Sequence, residues 1–309
     1  MIFPTVSIVT PSYNQASFLR ASISSVVSQG YPSLEYIVID GGSGDDSLNI
    51  IKEFDPLISF WCSEPDSGHS HALQKGFQRS TGEIMGWINS DDMMTPWSLF
   101  AIADIFSTFP HVNWIQGFTS TWNVHGYMTS ASRNPINIYD YLFGNYRWIQ
   151  QESTFWRRTL WDEAGGFLSS DMELMVDGEL WTRFFLHQPL YLVDCILAGW
   201  RNHGSNRSLQ AMVSCQQEME ICIRRMAQKI GEVTKVNFEQ LLSSYHRIQS
   251  LPSWVSPRLI QSRLSSCLVK EDLLLLAGYE FIQWDYSASR WTQSRAPFVL
   301  PKGPINTLY

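Results

Sequence analysis

The chain has 309 residues, 44% of them hydrophobic and 17% charged, which excludes disorder, collagen and coiled coil and suffices for one large α/β domain or a catalytic domain with an appendage. Its 22 Lys and Arg against 29 Asp and Glu leave a net charge of -7 with no long run of like charge, so a nucleic-acid scaffold is not expected. The five cysteines (Cys62, Cys195, Cys215, Cys222, Cys267) are scattered and form no C-x-x-C pair, the pattern expected of reduced cytosolic thiols.

The first residues carry no basic segment and pass straight into a β-like run, so a secretory signal is not expected. Short β-branched or aromatic runs at 6–10, 34–40, 58–63, 83–89 and 112–118 alternate with segments of helical spacing such as Leu19, Ile23, Val26 and Val27. This alternation predicts an α/β fold: a mostly parallel central sheet flanked by helices, with ligands beyond the carboxyl ends of its strands. Between 122 and 200 the chain is rich in tryptophan, with helices predicted over 159–164 and 177–186 and a strand over 190–197. A soft boundary near 205 separates a domain 1–205, its donor half about 1–120 and its acceptor half about 121–205, from a helical C-terminal extension over 206–309. There Leu209, Met212, Val213, Met219, Ile223 and Met226 make an apolar stripe, Pro252 and Pro257 break it before another helix, and the tail from Arg295 is expected to be loosely held. The most apolar cluster, 273–277, falls far short of the roughly 20 residues of a membrane span.

Three strand ends carry chemistry. WINSDD (87–92) is an apolar strand ending in Asp91 and Asp92. Such carboxylates suit Mg²⁺ or Mn²⁺, which take one or two protein carboxylates and fill other positions with phosphate oxygens, although Asp ahead of Thr95-Pro96-Trp97 also suits a helix cap. IVIDGGS (37–43) places Asp40 and two glycines where a nucleoside would approach the backbone, though on this motif alone an ordinary tight turn is the simpler reading. A G-x-G-x-x-G fingerprint is absent here, which argues against a nicotinamide enzyme. In TPSYN (10–14), Tyr13 follows the first strand in the ligand crevice, where its ring can stack on a base or pack over a loop.

Read in order, SIVTPSYN (7–14), YIVIDGGS (36–43), SEPDSG (63–68), GEIMGWINSDD (82–92), QESTFWRR (151–158), GGF (165–167), DGELWTR (177–183) and RNH (201–203) resemble the family-2 glycosyltransferases over residues of about 5 to 207. The resemblance implies the GT-A, nucleotide-sugar-binding fold and a metal-dependent, inverting, hexosyltransferase-like transfer from a nucleotide diphosphate donor to an acceptor hydroxyl. Carried over by position, it implies Thr10, Pro11, Tyr13 and Asp40 at the nucleoside, with Asp66 in the same pocket and Lys75 at phosphate. Asp91 falls near the ribose, Asp92 at a Mg²⁺ or Mn²⁺ ion, and His203 at that ion or the diphosphate. The implied general base is Asp177, with Glu179 as the neighbouring alternative. By family habit the donor is expected to be a UDP-sugar and the acceptor a carbohydrate or lipid-linked molecule in surface polysaccharide or glycolipid assembly. The expected location is the cytoplasm, with peripheral contact at the inner face of the membrane as the alternative to packing for the helices after 205.

Two positions depart from the family pattern. Relatives commonly show Asp-Ala-x-Asn-Lys-Gly where this chain has His71-Ala-Leu-Gln74-Lys75-Gly. The change supports a rival reading, a catalytically silent nucleotide-sugar-binding module of the same fold. A nucleotidyltransferase is disfavoured because no Gly-rich loop bearing Lys or Arg follows the first strand. His69 and His71, two residues apart, do not share a helix face and are expected as pocket lining or surface. Of the tryptophans in the acceptor half (Trp122, Trp148, Trp156, Trp161, Trp181, Trp200), most are expected in the core, with Trp181 partly buried beside the base.

Overall fold

The computed structural model describes residues 3–142, 148–234 and 278–297. The first half alternates strand and helix: β1 (Val6–Ser12), α1 (Ala16–Val27), β2 (Leu34–Asp40), α2 (Ser47–Glu53), β3 (Phe60–Ser63), α3 (His69–Arg79), β4 (Ile84–Trp87), β5 (Met93–Met94), α4 (Ser98–Thr108) and β6 (Trp114–Gln116). The chain continues through β7 (Thr119–Trp122), β8 (Met128–Ser132), α5 (Ile138–Leu142), β9 (Thr154–Arg157), α6 (Arg158–Glu163) and α7 (Val176–Phe184). It closes with β10 (Tyr191–Val193), β11 (Ala198–Arg201), α8 (Arg207–Gln210), α9 (Met212–Thr234), β12 (Gly278–Asp285) and β13 (Arg290–Pro297).

Among the described residues, nine strands form one sheet in the order β13-β12-β10-β6-β9-β4-β1-β2-β3. Its β4-β1-β2-β3 half is parallel, and β9 runs antiparallel to both of its neighbours. Parallel strands are buried on both faces, which is why VSIVTPS and LEYIVID read as near-continuous apolar runs rather than alternating ones. The pleat still divides them. Val9, Ile37, Ile39, Met85 and Trp87 enter one core, while Val6, Ile8, Tyr36, Val38 and Ile84 enter the other on the opposite face.

The register places Ser12 beside Asp40 and Asp40 beside Ser63, so three strands end level. The chain steps outward from β1 to β3 and then returns to the other side of β1 as β4, which makes the carboxyl ends of β1 and β4 the switch point where α/β sheets bind ligands. A second sheet, β5-β11-β7-β8, closes over this end.

Three expectations are corrected. The strand predicted over 190–197 is two: β10 stops at Val193, and β11 starts at Ala198 in the second sheet. The apolar stripe holds in α9 for Met219, Ile223 and Met226 but fails at its start, where the chain breaks between α8 and α9 at Ala211. Leu209 and Val213 are exposed, and α9 buries Cys215, Met219, Cys222, Met226 and Ile230 against the core beneath α7. The extension over 206–309 is helical in α9 but not at its far end, where β12 and β13 form a hairpin that joins the main sheet through β10. Arg295 lies within that hairpin, ion-paired with Glu280 at 3.0 Å. Pro252, Pro257, Cys267 and the cluster 273–277 fall outside the described residues. Among the described residues no helix is long and apolar enough to cross a membrane, and Cys62, Cys195, Cys215 and Cys222 are free thiols.

Candidate active site

A cleft of about 680 Å³ lies over the ends of β1, β2, β3 and β4, lined by Pro11 to Tyr13, Gly41, Gly42, Asp66, His69 and Asn89 to Asp92. Trp200, Asn206, Arg207, Glu173 and Leu174 complete its wall. The volume is in the range of small-molecule and cofactor sites.

At the sheet end, Tyr13 is 62% exposed and free to take a planar ligand. A Cβ on Gly41 would fall 3.0 Å from Asp66 Oδ2 and 3.3 Å from the Tyr13 ring, so glycine lets these two side chains approach the loop closely. The Asp66 carboxylate also accepts the Gly68 N–H at 2.7 Å, which fixes it ahead of α3. Asp40 has a different role from the expected one. Fully buried, it accepts from Gly42 N, Ser43 N, Ser43 Oγ and Ser63 Oγ at 2.5–3.2 Å and does not line the cleft. It is the strut of the loop that presents Gly41. Thr10 also faces the interior, its hydroxyl 3.0 Å from that of Tyr36. Lys75 ion-pairs with Glu64 at 2.9 Å and does not line the cleft.

At the other end, Asp91 reaches into the cleft with its Oδ2 3.0 Å from His203 Nε2. The imidazole is clamped by Ser205 Oγ at 2.8 Å, by Asn206 Nδ2 at 3.1 Å, and by stacking on Phe18 at 4.6 Å between centroids. Asp91 Oδ2 and His203 Nε2 are an oxygen and a nitrogen of the kind that could hold Mg²⁺ or Mn²⁺. Among the described residues no cluster of three or more His, Cys, Asp or Glu forms a cage. Two protein donors suit an ion that shares phosphate oxygens.

Asp92, the expected metal ligand, is turned inward and only 1% exposed. Its Oδ1 accepts the Arg201 N–H at 2.8 Å and its Oδ2 the Asn89 amide at 3.1 Å, which ties β11 to the end of β4. It also hydrogen-bonds the buried carboxyl of Glu152. Burial, then the neighbouring Glu152 and Asp91 charges, push Asp92 well above the usual carboxylate range, and burial pushes Glu152 up to about 7. The buried Arg201 guanidinium, packed 5.1 Å over the Phe18 ring, supplies the compensating positive charge. Glu152 had only its place in the QESTFWRR segment to signal it. Asn89, which bonds His69, Asp92 and Gln151 at 3.0–3.1 Å, had no more than its place ahead of the two acids. His69 lines the cleft, burial holding its imidazole below the ordinary value, while exposed His71 accepts the Ser67 N–H.

Asp177 stands in the first turn of α7, just beyond the rim residues Glu173 and Leu174. Burial pushes its carboxyl up to about 6, against an opposing hydrogen bond from the Gly178 N–H, and its charge is close enough to raise Glu152. Glu179 is not an alternative base. It holds Arg183 in a forked ion pair at 2.8–3.1 Å, and that guanidinium binds the carbonyls of Ala164 and Phe167, so the pair braces the loop behind the site.

The head of α7 is held from outside the expected domain. Glu218 on α9 accepts the N–H groups of Glu173, Leu174 and Met175 at 2.8–3.2 Å. A Cβ on Gly178 would sit 2.5 Å from Met219 Sδ, so glycine there allows α9 to close on α7. From below, Trp181 is only 1% exposed, fully rather than partly buried. It stacks with Trp87 and Trp114 and meets Trp156 edge-on. Of the acceptor-half tryptophans, Trp200 is the one that lines the cleft.

Residues 7–169 match the family described as Glycosyl transferase family 2. An uncharacterised glycosyltransferase of Mycobacterium tuberculosis is 29% identical over 203 residues, 65% of this chain and 76% of that protein. A putative teichuronic acid biosynthesis glycosyltransferase of Bacillus subtilis, TuaG, is 32% identical over 92 residues, 29% of this chain and 36% of that one. Among solved structures, Staphylococcus aureus TarS residues 1–349 in complex with UDP-GlcNAc superimposes with a TM-score of 0.57 at 12% identity, covering 88% of this chain and 83% of that one. The mannosyltransferase PcManGT of Pyrobaculum calidifontis, in complex with GDP-Man and Mn²⁺, gives 0.50 at 15% identity over 87% and 86%. The fold is thus the GT-A type, and with a family match running from β1 past α6 the chain belongs to glycosyltransferase family 2.

Proposed function

We propose that this glycosyltransferase moves a sugar from a nucleoside diphosphate donor, a UDP-sugar first among them, to a hydroxyl of a carbohydrate or lipid-linked acceptor with inversion at the anomeric carbon. The pathway we propose is cell-surface polysaccharide or glycolipid assembly in the cytoplasm or at the inner membrane face. The observation that carries the reading is one cleft lined by Tyr13 and Asp66 at the sheet end and by Asp91, whose Oδ2 lies 3.0 Å from His203 Nε2. The UDP-GlcNAc bound by TarS, the GDP-Man and Mn²⁺ bound by PcManGT and the pathway named for TuaG support it.

In this reading Tyr13 stacks on the base and Asp66 accepts from the nucleoside, while Asp40 only shapes their loop. Asp91 and His203 would hold Mg²⁺ or Mn²⁺, whose chemistry is to neutralise the departing diphosphate. Asp177 takes the acceptor hydroxyl's proton as the new C–O bond forms and the bond to the diphosphate breaks. Attack from the face opposite the leaving group inverts the anomeric centre.

Calorimetry tests the binding half. The chain should bind UDP or GDP more tightly in Mn²⁺ than in chelator, and Asp91→Asn should abolish that difference. An Asp91→Asn protein that keeps the full Mn²⁺ gain removes Asp91 from the metal. Tyr13→Ala should weaken the diphosphate and its nucleoside alike, by roughly 5- to 100-fold for one lost stacking contact. Weakening of the diphosphate alone would move Tyr13 away from the base.

A further inference from the structure

Asp66, Asp91 and Glu173 line the cleft, a surplus of acid for a ligand that is itself an anion. Among the described residues lining it, Arg207 is the only lysine or arginine. It opens α8 four residues after His203, and its neighbour Asn206 is anchored to Arg201 O at 2.9 Å and to His203 Nε2 at 3.1 Å, so the Arg207 backbone is tied to the donor pair. The guanidinium donates to Glu173 Oε1 at 2.6 Å, with the two side chains 54% and 79% exposed. An ion pair so open to water is weakly held. A diphosphate, with more charge and paired oxygens that match the guanidinium fork, is the stronger partner. The lysine that the family pattern puts at phosphate is already bound to Glu64 and lies off the cleft wall.

We infer that Arg207 is the diphosphate-binding cation of the donor site and that Glu173 competes for it at the rim until a nucleoside diphosphate displaces the carboxylate. The inference rests on the nucleotide-sugar reading and names a residue within it. The exchange trades one carboxylate partner for a phosphate and makes no covalent change. It also sets two opposite effects on one affinity: loss of Arg207 weakens the diphosphate, and loss of the Glu173 charge strengthens it.

The test is calorimetry on the full chain in Mn²⁺ with UDP and GDP and with uridine and guanosine as the phosphate-free controls. Arg207→Ala should weaken the bound diphosphate by roughly 10-fold or more while its nucleoside binds as to the parent, and Arg207→Lys should fall between. Glu173→Gln should tighten the diphosphate by about 2- to 5-fold. If Arg207→Ala binds diphosphate like the parent, or weakens diphosphate and nucleoside equally, Arg207 does not bind phosphate. If Glu173→Gln leaves affinity unchanged or lower, the competition is absent. A parent that binds none of the four ligands instead overturns the nucleotide-sugar reading itself.

Discussion

Asp177 gains its chemistry from where it is buried. A carboxyl pushed up to about 6 is a stronger base than an ordinary aspartate and is still ionised at neutral pH, which is the compromise a general base needs. Turnover should therefore rise with pH through about 6 and level off above it, and Asp177→Asn should lose roughly 10²- to 10⁴-fold while nucleotide affinity persists. An Asp177→Asn enzyme with near-parental turnover would end its candidacy. Stability should move in the opposite sense. A carboxyl whose folded pKa lies above its unfolded value contributes stability at low pH and loses it as pH rises through the folded value. Asp177→Asn should thus melt higher than the parent at pH 8, by a margin that vanishes near pH 4, in a scan by circular dichroism. The family pattern singled out Asp177, but its pKa comes from contacts the local sequence does not contain. The same applies to the two acids after β4. They are adjacent in sequence, and their division into an inward Asp92 and a cleft-facing Asp91 follows from Arg201 and Glu152, which lie 109 and 60 residues further on.

Helix α7 illustrates how an element is positioned by something distant. Its last turn is braced by the Glu179 and Arg183 pair, its face by the tryptophans beneath it, and the residues ahead of it by Glu218 from α9. One carboxylate serving three successive N–H groups is a charge-assisted cap, and removing it leaves three backbone donors without their acceptor. Glu218→Ala should cost about 1–3 kcal/mol in urea unfolding and raise hydrogen exchange over 173–178, and it should lower turnover more than it lowers nucleotide affinity. Equal losses in the two would mean that Glu218 supports the cleft as a whole rather than the base. Helix α9 was legible in its sequence as an amphipathic helix. Its partner was not, because a helical stripe records only that a face is covered, and the break at Ala211 left Leu209 and Val213 outside that face.

Across the whole molecule, the main sheet is completed by strands about 90 residues beyond β10. Ile282 pairs with Val193 and is fully buried, the Asp194 N–H reaches the Ile282 carbonyl at 2.9 Å, and Trp291 Nε1 bonds Asp104 at 3.0 Å. The hairpin thereby covers the β10 edge, which would otherwise be open to pairing with other chains. Ile282→Ala should cost about 2–5 kcal/mol in urea unfolding, as a core residue does, and leave nucleotide affinity intact below the transition. A cost under about 0.5 kcal/mol, the size of a surface substitution, would show the hairpin to be peripheral.

The alternation of buried runs and helices, the strand ends that bear Tyr13, Gly41, Asp66, Asp91 and Asp92, and the family itself could all be read from the residues in order. Each depends on local pattern and spacing, which the primary structure carries directly. The assignment of Asp40 and Thr10 to the interior, of Lys75 and Glu179 to ion pairs, and of Asp91 rather than Asp92 to the cleft required the fold. So did the parts played by Glu152, Glu218 and Arg207, whose partners stand 34 to 60 positions away in the sequence. A carboxylate's role is set by the donors, charges and water around it, and those neighbours are brought together only when distant segments pack.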